Sequence, residues 1–354
     1  MNKKYVFISF AVIALLFLIF LSVFLTNAKQ INIPLIGFTK PKEYVFSIGI
    51  YKMTYNGRSF EISQYKNVNN PVVSSKDITD RNARFVADPF LFYENEIYYM
   101  FFEVLGPQNG DIGLAISHDG TNWEYKQIVL DEPFHLSYPL VFKYNEKFYM
   151  IPETINAGSV RLYEATQFPC DWKFVKNLII GNFCDSTLFR HNGKWWMLTS
   201  LANNSTLYLF YSENLDGEWV PYSKNPIVKK NCKIGRSGGN IIEVDGKLIR
   251  VAQRDCLTYG KAIRFIEIDK LTLDAYREHQ LQEITSFDIG IGQWNRDGIH
   301  QCSSIKISDK EWICAIDGKR HKEPGRFSMG RIDLPPCVSR ILEKLVEYVY
   351  HHTN

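Results

Sequence analysis

One pattern recurs five times along this chain, and it restricts the possible folds more than any other feature. Asp88-Pro89-Phe90-Leu91-Phe92, Tyr138-Pro139-Leu140-Val141-Phe142 and Asp185-Ser186-Thr187-Leu188-Phe189 each open an apolar segment that reaches a tight polar turn and returns through aromatic residues. A fourth copy starts at Gly238 and turns at Asp245-Gly246, and a looser fifth runs from His300 through Asp309-Lys310 to Trp312. The starts are 50, 47, 53 and about 62 residues apart. A second ruler agrees with the first, because Trp123, Trp172 and Trp219, each at an outer strand, are spaced by 49 and 47 residues. Their expected role is packing between sheets.

Each unit reads as about four short strands, with turn signals at Asn95-Glu96, Asp119-Gly120, Asn192-Gly193, Asp216-Gly217 and Asp245-Gly246, where β-hairpins need positive φ. A four-stranded repeat of this length is the spacing of a β-propeller, whose radially packed blades bury both faces of each small sheet. The expected fold is therefore all-β, a five-bladed propeller over residues 81–335. Residues 31–80 are expected to be linker and ring-closing strands, with residues 44–65 supplying a strand that closes the ring or an outer strand of the last blade.

Composition narrows the partners. The 354 residues carry a net charge of only +3, and 45% are hydrophobic, which excludes a disordered chain and a phosphate-tracking surface. No nucleic acid is expected. Residues 6–25 form an apolar run whose only polar members are Ser9 and Ser22, long enough as a helix to cross ~30 Å of hydrocarbon. Residues 1–30 are accordingly expected to be a single-pass transmembrane helix, a signal-anchor or else a signal peptide, with the propeller on the non-cytoplasmic side. Residues 336–354 are expected to close the chain with an amphipathic helix on Ile341, Leu345 and Val349.

Seven cysteines occur without a Cys-x-x-Cys pair, and there is no His-Glu-x-x-His, so neither a zinc ribbon nor a zinc protease is indicated. No metal and no cofactor are expected. Cys232 and Cys256 flank the two ends of the fourth inner hairpin, which return to one mouth of the propeller, so a disulfide between them is geometrically plausible. Asn203-Asn204-Ser205-Thr206 offers two overlapping glycosylation acceptors.

Several residues together carry a resemblance to a known family. Ala87-Asp88-Pro89, Tyr138-Pro139 with Val141-Phe142, Met150-Ile151-Pro152-Glu153, Val160-Arg161-Leu162-Tyr163-Glu164-Ala165 and the Asp185 to Trp195-Trp196 block resemble the amino-terminal domain of plant glucosamine inositolphosphorylceramide transferases and their stand-alone bacterial relatives. That domain is itself similar to glycoside hydrolase family 43. The resemblance covers roughly residues 85–331 and is most specific in the first three units. In the plant proteins the recognised glycosyltransferase is a separate carboxy-terminal domain, which this chain is expected to lack. The resemblance to family 43 implies Asp88 as general base and Asp185 as the residue that orients or tunes. It breaks at the fourth unit, where Arg236-Ser237-Gly238-Gly239 stands in place of the glutamate acid.

Propeller geometry supplies an independent expectation. Innermost strands begin at one mouth of the channel and their partners return there about fifteen residues later, which gathers Asp88, Tyr138, Asp185, Arg236 and His300 with Glu103, Glu153, Ser200, Gln253-Arg254 and Asp317. Carboxylates, arginines and aromatic rings around a funnel suit sugars. Converging carboxylates also push their pKa values apart, into a base and an acid. With Asp88 and Asp185 in the roles that the resemblance implies and Glu153 as acid, these three are the candidate catalytic residues. Tyr138, Arg236, Arg254, His300 and Glu103 are the candidate substrate ligands. Each has a structural alternative as turn cap, rim salt bridge or interblade hydrogen bond.

The expected activity is cleavage or transfer of a glycosyl unit on a glycan or glycolipid. Its alternatives are a non-catalytic glycan-binding module and a scaffold in a membrane-bound assembly system. Gly235-x-Ser237-x-Gly239 imitates a nucleophile elbow, but the following residues read as a hairpin, not a helix.

Overall fold

A computed structural model describes residues 36–39, 43–256, 258–322, 326–329 and 332–333. The expected membrane segment and the expected carboxy-terminal helix lie outside the described residues. Among the described residues no helix is long and apolar enough to cross a membrane. The chain divides into two compact units, of which residues 45–320 form the larger. In the other, strand Ile36–Thr39 pairs antiparallel with Arg326–Met329, which pairs with Ile332–Asp333.

The larger unit is the expected five-bladed propeller. Blade 1 runs through Phe85–Glu94, Ile97–Leu105, Gly110–Ser117 and Glu124–Leu130 from the channel outward. Blade 2 uses Ser137–Tyr144, Lys147–Glu153, Ser159–Gln167 and Asp171–Ile180. Blade 3 uses Phe183–His191, Lys194–Leu201, Leu207–Ser212 and Val220–Pro221. In blade 4 the inner strand is split into Arg236–Ser237 and Ile242–Val244, both paired with Lys247–Arg254, followed by Ala262–Leu271 and Tyr276–Ile284. Blade 5 takes its inner strands, Gly298–Ser308 and Glu311–His321, from the end of the propeller and its outer strands, Tyr44–Tyr55 and Phe60–Gln64, from the beginning. The amino-terminal strands therefore close the ring.

Both faces of each blade are buried, which explains why segments such as Ile97-Tyr-Tyr-Met-Phe-Phe are continuously apolar rather than alternating. Along that strand Phe101 points into the cluster shared with blade 2, while Met100 and Phe102 point into the cluster shared with blade 5. Five such clusters occur among the described residues, one at each blade interface. The three repeated tryptophans stiffen outer turns: Trp123, Trp172 and Trp219 each donate Nε1–H to a backbone carbonyl three or four residues earlier (Gly120 at 3.1 Å, Pro169 at 2.9 Å, Leu215 at 3.2 Å).

The inner hairpins of blades 1 to 4 share one turn, with positive φ at Asn95-Glu96, Asn145-Glu146, Asn192-Gly193 and Asp245-Gly246. The type I′ twist matches the twist of the strands it joins. Asp216-Gly217 departs from expectation: neither residue has positive φ, and Gly217 N–H instead closes a turn onto Asn214 O.

Every inner strand carries an irregularity at the same height. In blade 1 the register passes from Ala87↔Glu103 to Phe90↔Phe101, so one extra residue is inserted on the inner side. Blades 2, 3 and 5 repeat this after Ser137, Cys184 and Ile299, and in blade 4 it widens into the gap between the two inner segments. A bulge re-aims side chains that would otherwise lie flat between blades. Here it turns them toward the channel.

Candidate functional site

The bulges place Asp88, Tyr138 and Asp185 at φ of 53°, 47° and 49°. Pro89 after it would be expected to hold Asp88 extended, and the structure overturns that expectation. The residue before proline is steered away from the right-handed helical region, but Asp88 sits in a bulge whose N–H donates to Asp317 Oδ2 of blade 5 at 2.9 Å, and Asp tolerates left-handed backbone better than most residues. Tyr138 does not, and such a conformation costs on the order of 1–3 kcal/mol unless its surroundings hold it. Its ring packs edge-on against Phe90, its hydroxyl lies 2.8 Å from Thr187 Oγ1, and the same oxygen accepts Gly239 N–H at 2.8 Å. Tyr138 is fully buried in this clamp of blades 2, 3 and 4. It fastens the ring, and the hydroxyl of this expected substrate ligand is engaged by blades 3 and 4.

Geometry brings most of the expected ring together. Glu103, Glu153, Ser200 and Gln253 stand opposite Ala87, Ser137, Cys184 and Arg236, and Asp317 returns beside His300. Arg254 is the exception. Successive strand residues alternate in direction, so Gln253 reaches Asp185 at 3.0 Å while Arg254 bonds to Glu283 Oε1 at 2.9 Å in a network completed by Arg264.

Two basic groups serve the acidic ring. Arg236 Nε lies 2.5 Å from Asp185 Oδ2, its Nη1 donates to Asn204 Oδ1 at 2.7 Å, and its guanidinium stacks 5.3 Å from the Tyr259 ring centre. His300 stands between two carboxylates, Nε2 3.3 Å from Asp88 Oδ1 and Nδ1 2.7 Å from Asp317 Oδ2. Phe46 stacks on the imidazole at 4.4 Å and Tyr259 meets it edge-on at 5.2 Å. Burial opposes the imidazolium, but Asp317 and then Asp88 outweigh it, so the net shift of His300 is upward. Asp88, His300 and Asp317 are also the described trio close enough to surround a cation. Both imidazole nitrogens already face carboxylates, so the trio is read as an internal ion triad.

The remaining acids are dominated by desolvation. Burial raises Asp88 to about 7 against the opposing pull of His300, and raises Glu153 to about 8 with help from Asp185. Burial, then Asp88 and Glu153, push Glu103 well above the usual range. Glu103 Oε1 is 3.5 Å from His135 Nε2, and His135 Nδ1 accepts Gly110 N–H at 3.0 Å, which assigns the ring proton to the nitrogen facing Glu103.

Five buried oxygens around this ring make no hydrogen bond within the protein: Asp88 Oδ1, which meets His300 Nε2 only as an ion pair, Glu153 Oε2, Asp185 Oδ1, Gln253 Oε1 and Asp255 Oδ2. Buried polar atoms are almost always satisfied. These oxygens are themselves almost inaccessible and gather as a buried polar cluster around the ring.

Residues 51–319 match the family described as glucosamine inositolphosphorylceramide transferase 1, N-terminal. The chain belongs to that family. Among curated relatives, glucosamine inositolphosphorylceramide transferase 1 of Arabidopsis thaliana is 38% identical over 266 residues, 72% of this chain and 35% of the relative. That of Oryza sativa subsp. japonica is 36% identical over 277 residues, 75% of this chain and 37% of the relative. The match thus spans little more than a third of these relatives' length. Among solved structures, a glycosyl hydrolase from Bacteroides ovatus superposes with a TM-score of 0.53 at 14% identity, covering 71% of this chain and 92% of that one. The catalytic domain of a Coprinopsis cinerea GH62 α-L-arabinofuranosidase does so with 0.53 at 11%, covering 78% and 98%. At such identities the likeness concerns the fold.

Asn204, Asp255, Tyr259 and His135 join the site without having been singled out for it. They lie on connections outside the repeat, where periodicity says nothing. One signal bore on them: Cys232 and Cys256 do form a disulfide, with Cα atoms 5.2 Å apart, and Asp255 N–H donates to Cys232 O. The expected pair therefore ties down the loop that carries Asp255 and Tyr259.

Proposed function

We propose that this propeller receives a glycan or glycolipid in its ring and cleaves or transfers a glycosyl unit there. The observation that carries the reading is the set of five unsatisfied buried acceptor oxygens. A sugar presents hydroxyl donors in several directions, which suits a ring of carboxylate and amide acceptors. Asp88 serves as base, Glu153 as acid and Asp185 as the orienting carboxylate. A Glu153 pKa of about 8 keeps a proton available for a leaving group at neutral pH, while the imidazolium of His300 favours the ionised form of Asp88. The relatives' name, a glucosamine inositolphosphorylceramide transferase, supports sugar on lipid as the substrate class.

The supporting location is a non-cytoplasmic membrane surface, with residues 6–25 as anchor. A disulfide beside the ring fits an oxidising compartment.

One observation favours a second reading, a glycan-binding module without catalysis. Arg236 neutralises Asp185 at the blade where the family 43 resemblance calls for an acid. Purified residues 29–354 assayed for turnover and for calorimetric binding on a glycan panel separate the two. Turnover that disappears in Asp88→Asn while binding persists supports catalysis. Binding without turnover in the unmodified protein assigns the module.

A further inference from the structure

Asp317 is completely buried, yet its carboxylate is the most heavily engaged in the ring. Oδ2 accepts Asp88 N–H at 2.9 Å and stands 2.7 Å from His300 Nδ1. Oδ1 accepts Gln301 N–H at 2.9 Å and His300 N–H at 3.3 Å. Gln301 Nε2–H then donates to Pro89 O at 3.0 Å, gripping the residue after Asp88. One side chain of blade 5 thus holds the bulge of blade 1 by its backbone and the imidazole facing Asp88 by its nitrogen.

We propose that Asp317 and His300 are positioning residues for Asp88: Asp317 fixes both the left-handed backbone of Asp88 and the charged state of His300, and His300 holds the Asp88 carboxylate ionised and aimed into the ring. Geometry alone separates this from simple packing. A residue needed only to fill space would not direct both carboxylate oxygens at four groups that converge on one other side chain. Charge makes the same point. Asp88 is surrounded by Asp185, Glu103, Glu153 and Asp317, and against these four acids the positive groups that reach it are His300 and Arg236. Arg236 is already committed to Asp185. Without a cation at His300, a buried Asp88 among four acids takes up a proton and can no longer act as a base. The other groups facing His300 are Asp255, on a loop of blade 4, and the Phe46 and Tyr259 rings, while the ammonium of Lys319 is bonded to Tyr259 O. None of these replaces Asp317, whose contact with the imidazole is the shortest.

The catalytic part of this inference rests on the function proposed above; the electrostatic part does not. The test therefore begins without substrate, by NMR titration of the His300 imidazole and the Asp88 carboxyl carbon in the unmodified protein. His300 is expected to titrate above the ordinary histidine value of about 6.5. In Asp317→Asn, which keeps shape but removes charge, His300 should titrate lower and Asp88 higher, the latter by about one unit or more. With a substrate in hand, the acidic limb of kcat/KM should move upward by the same interval. His300→Gln should raise Asp88 in the same way if Asp317→Asn fails to fold. A wild-type His300 that is neutral at pH 6.5 overturns the proposal, as does an Asp317→Asn protein that loses stability while both titrations stay in place. If no glycan is ever turned over, the titrations still decide the ion triad. If turnover is found and the titrations do not move, only the positioning role falls.

Discussion

Glu153 follows Pro152 at the end of its strand, 5% exposed, with Ile155 N–H donating to Oε1 at 3.2 Å and nothing donating to Oε2. Its pKa of about 8 follows mainly from burial, so the folded protein holds a proton that the unfolded chain releases near 4.5. A pKa raised on folding contributes stability below the unfolded value, and that contribution is lost as pH rises toward the folded one. Stability should therefore decline between about pH 4.5 and 8, and Glu153→Gln, a permanent neutral mimic, should flatten the decline and melt higher than the unmodified protein at pH 9. Thermal melts across this range check the sign, and parallel curves for the two proteins would reject it. Activity should show the opposite preference. With Asp88 near 7 and Glu153 near 8, base and acid coexist in their working forms only in a narrow window, so kcat/KM should peak between them. Asp88→Asn should abolish turnover while leaving the melt almost unchanged, because Asn tolerates φ of 53° as readily as Asp. Full activity in that variant would remove Asp88 from the mechanism.

The bulge is the element on which the ring depends, and blade 4 shows its tightest form. Gly239, at φ +152°, passes so close to blade 5 that an added Cβ would stand 1.9 Å from Cys302 O, and Cys302 N–H donates to Gly238 O. Gly239→Ala should cost about 4 kcal/mol or more, since neither backbone can yield. Gly246→Ala makes the control: its φ is +73° with nothing within 4 Å of the added carbon, so only the conformational cost of roughly 1–2 kcal/mol applies. Equal melting temperatures for the two variants would refute the role of close approach. These contacts also mark how far the sequence could be read. Blade number, strand order and ring height followed from spacing and turn residues, because each is a local property repeated five times. The left-handed backbone of Asp88 did not, because it belongs to a bulge in the pairing with the neighbouring strand and is braced by Asp317, 229 residues away. The diversion of Arg254 escaped for a related reason: a step of one residue along a strand changes the face, and the repeat aligns blades without saying which of two neighbours points inward. Tyr138 carried the right position, but its partners Thr187 and Gly239 come from two other blades and escape a reading by repeat.

At the scale of the whole molecule, closure rests on the amino-terminal strands. Tyr44–Tyr55 lies against Glu311–His321 and carries Phe60–Gln64 outside it, so the first residues of the propeller complete the blade that the last residues begin. Tyr51, Met53, Tyr55, Phe60 and Ile62 from these two strands are nearly inaccessible and pack into the cluster between blades 4 and 5. At about 2 kcal/mol for each buried side chain, they contribute roughly 10 kcal/mol, comparable with the whole stability of a typical domain. Phe46, on the same strand, stacks on His300 at 4.4 Å, so closure also completes the wall of the ring. A chain lacking residues 1–42 retains all of these contacts and is expected to unfold in one cooperative thermal transition. A chain lacking residues 1–64 loses them together, exposes the edge of Glu311–His321 to pairing with other molecules, and is expected to aggregate or to melt without cooperativity. Supplying residues 44–64 as a separate peptide should restore the transition if the strands act as the closing element, because their contacts need no covalent link to the rest of blade 5. Near-ultraviolet circular dichroism with temperature reads both outcomes, and a cooperative melt of the shorter chain without the peptide would show that four blades hold the ring unaided.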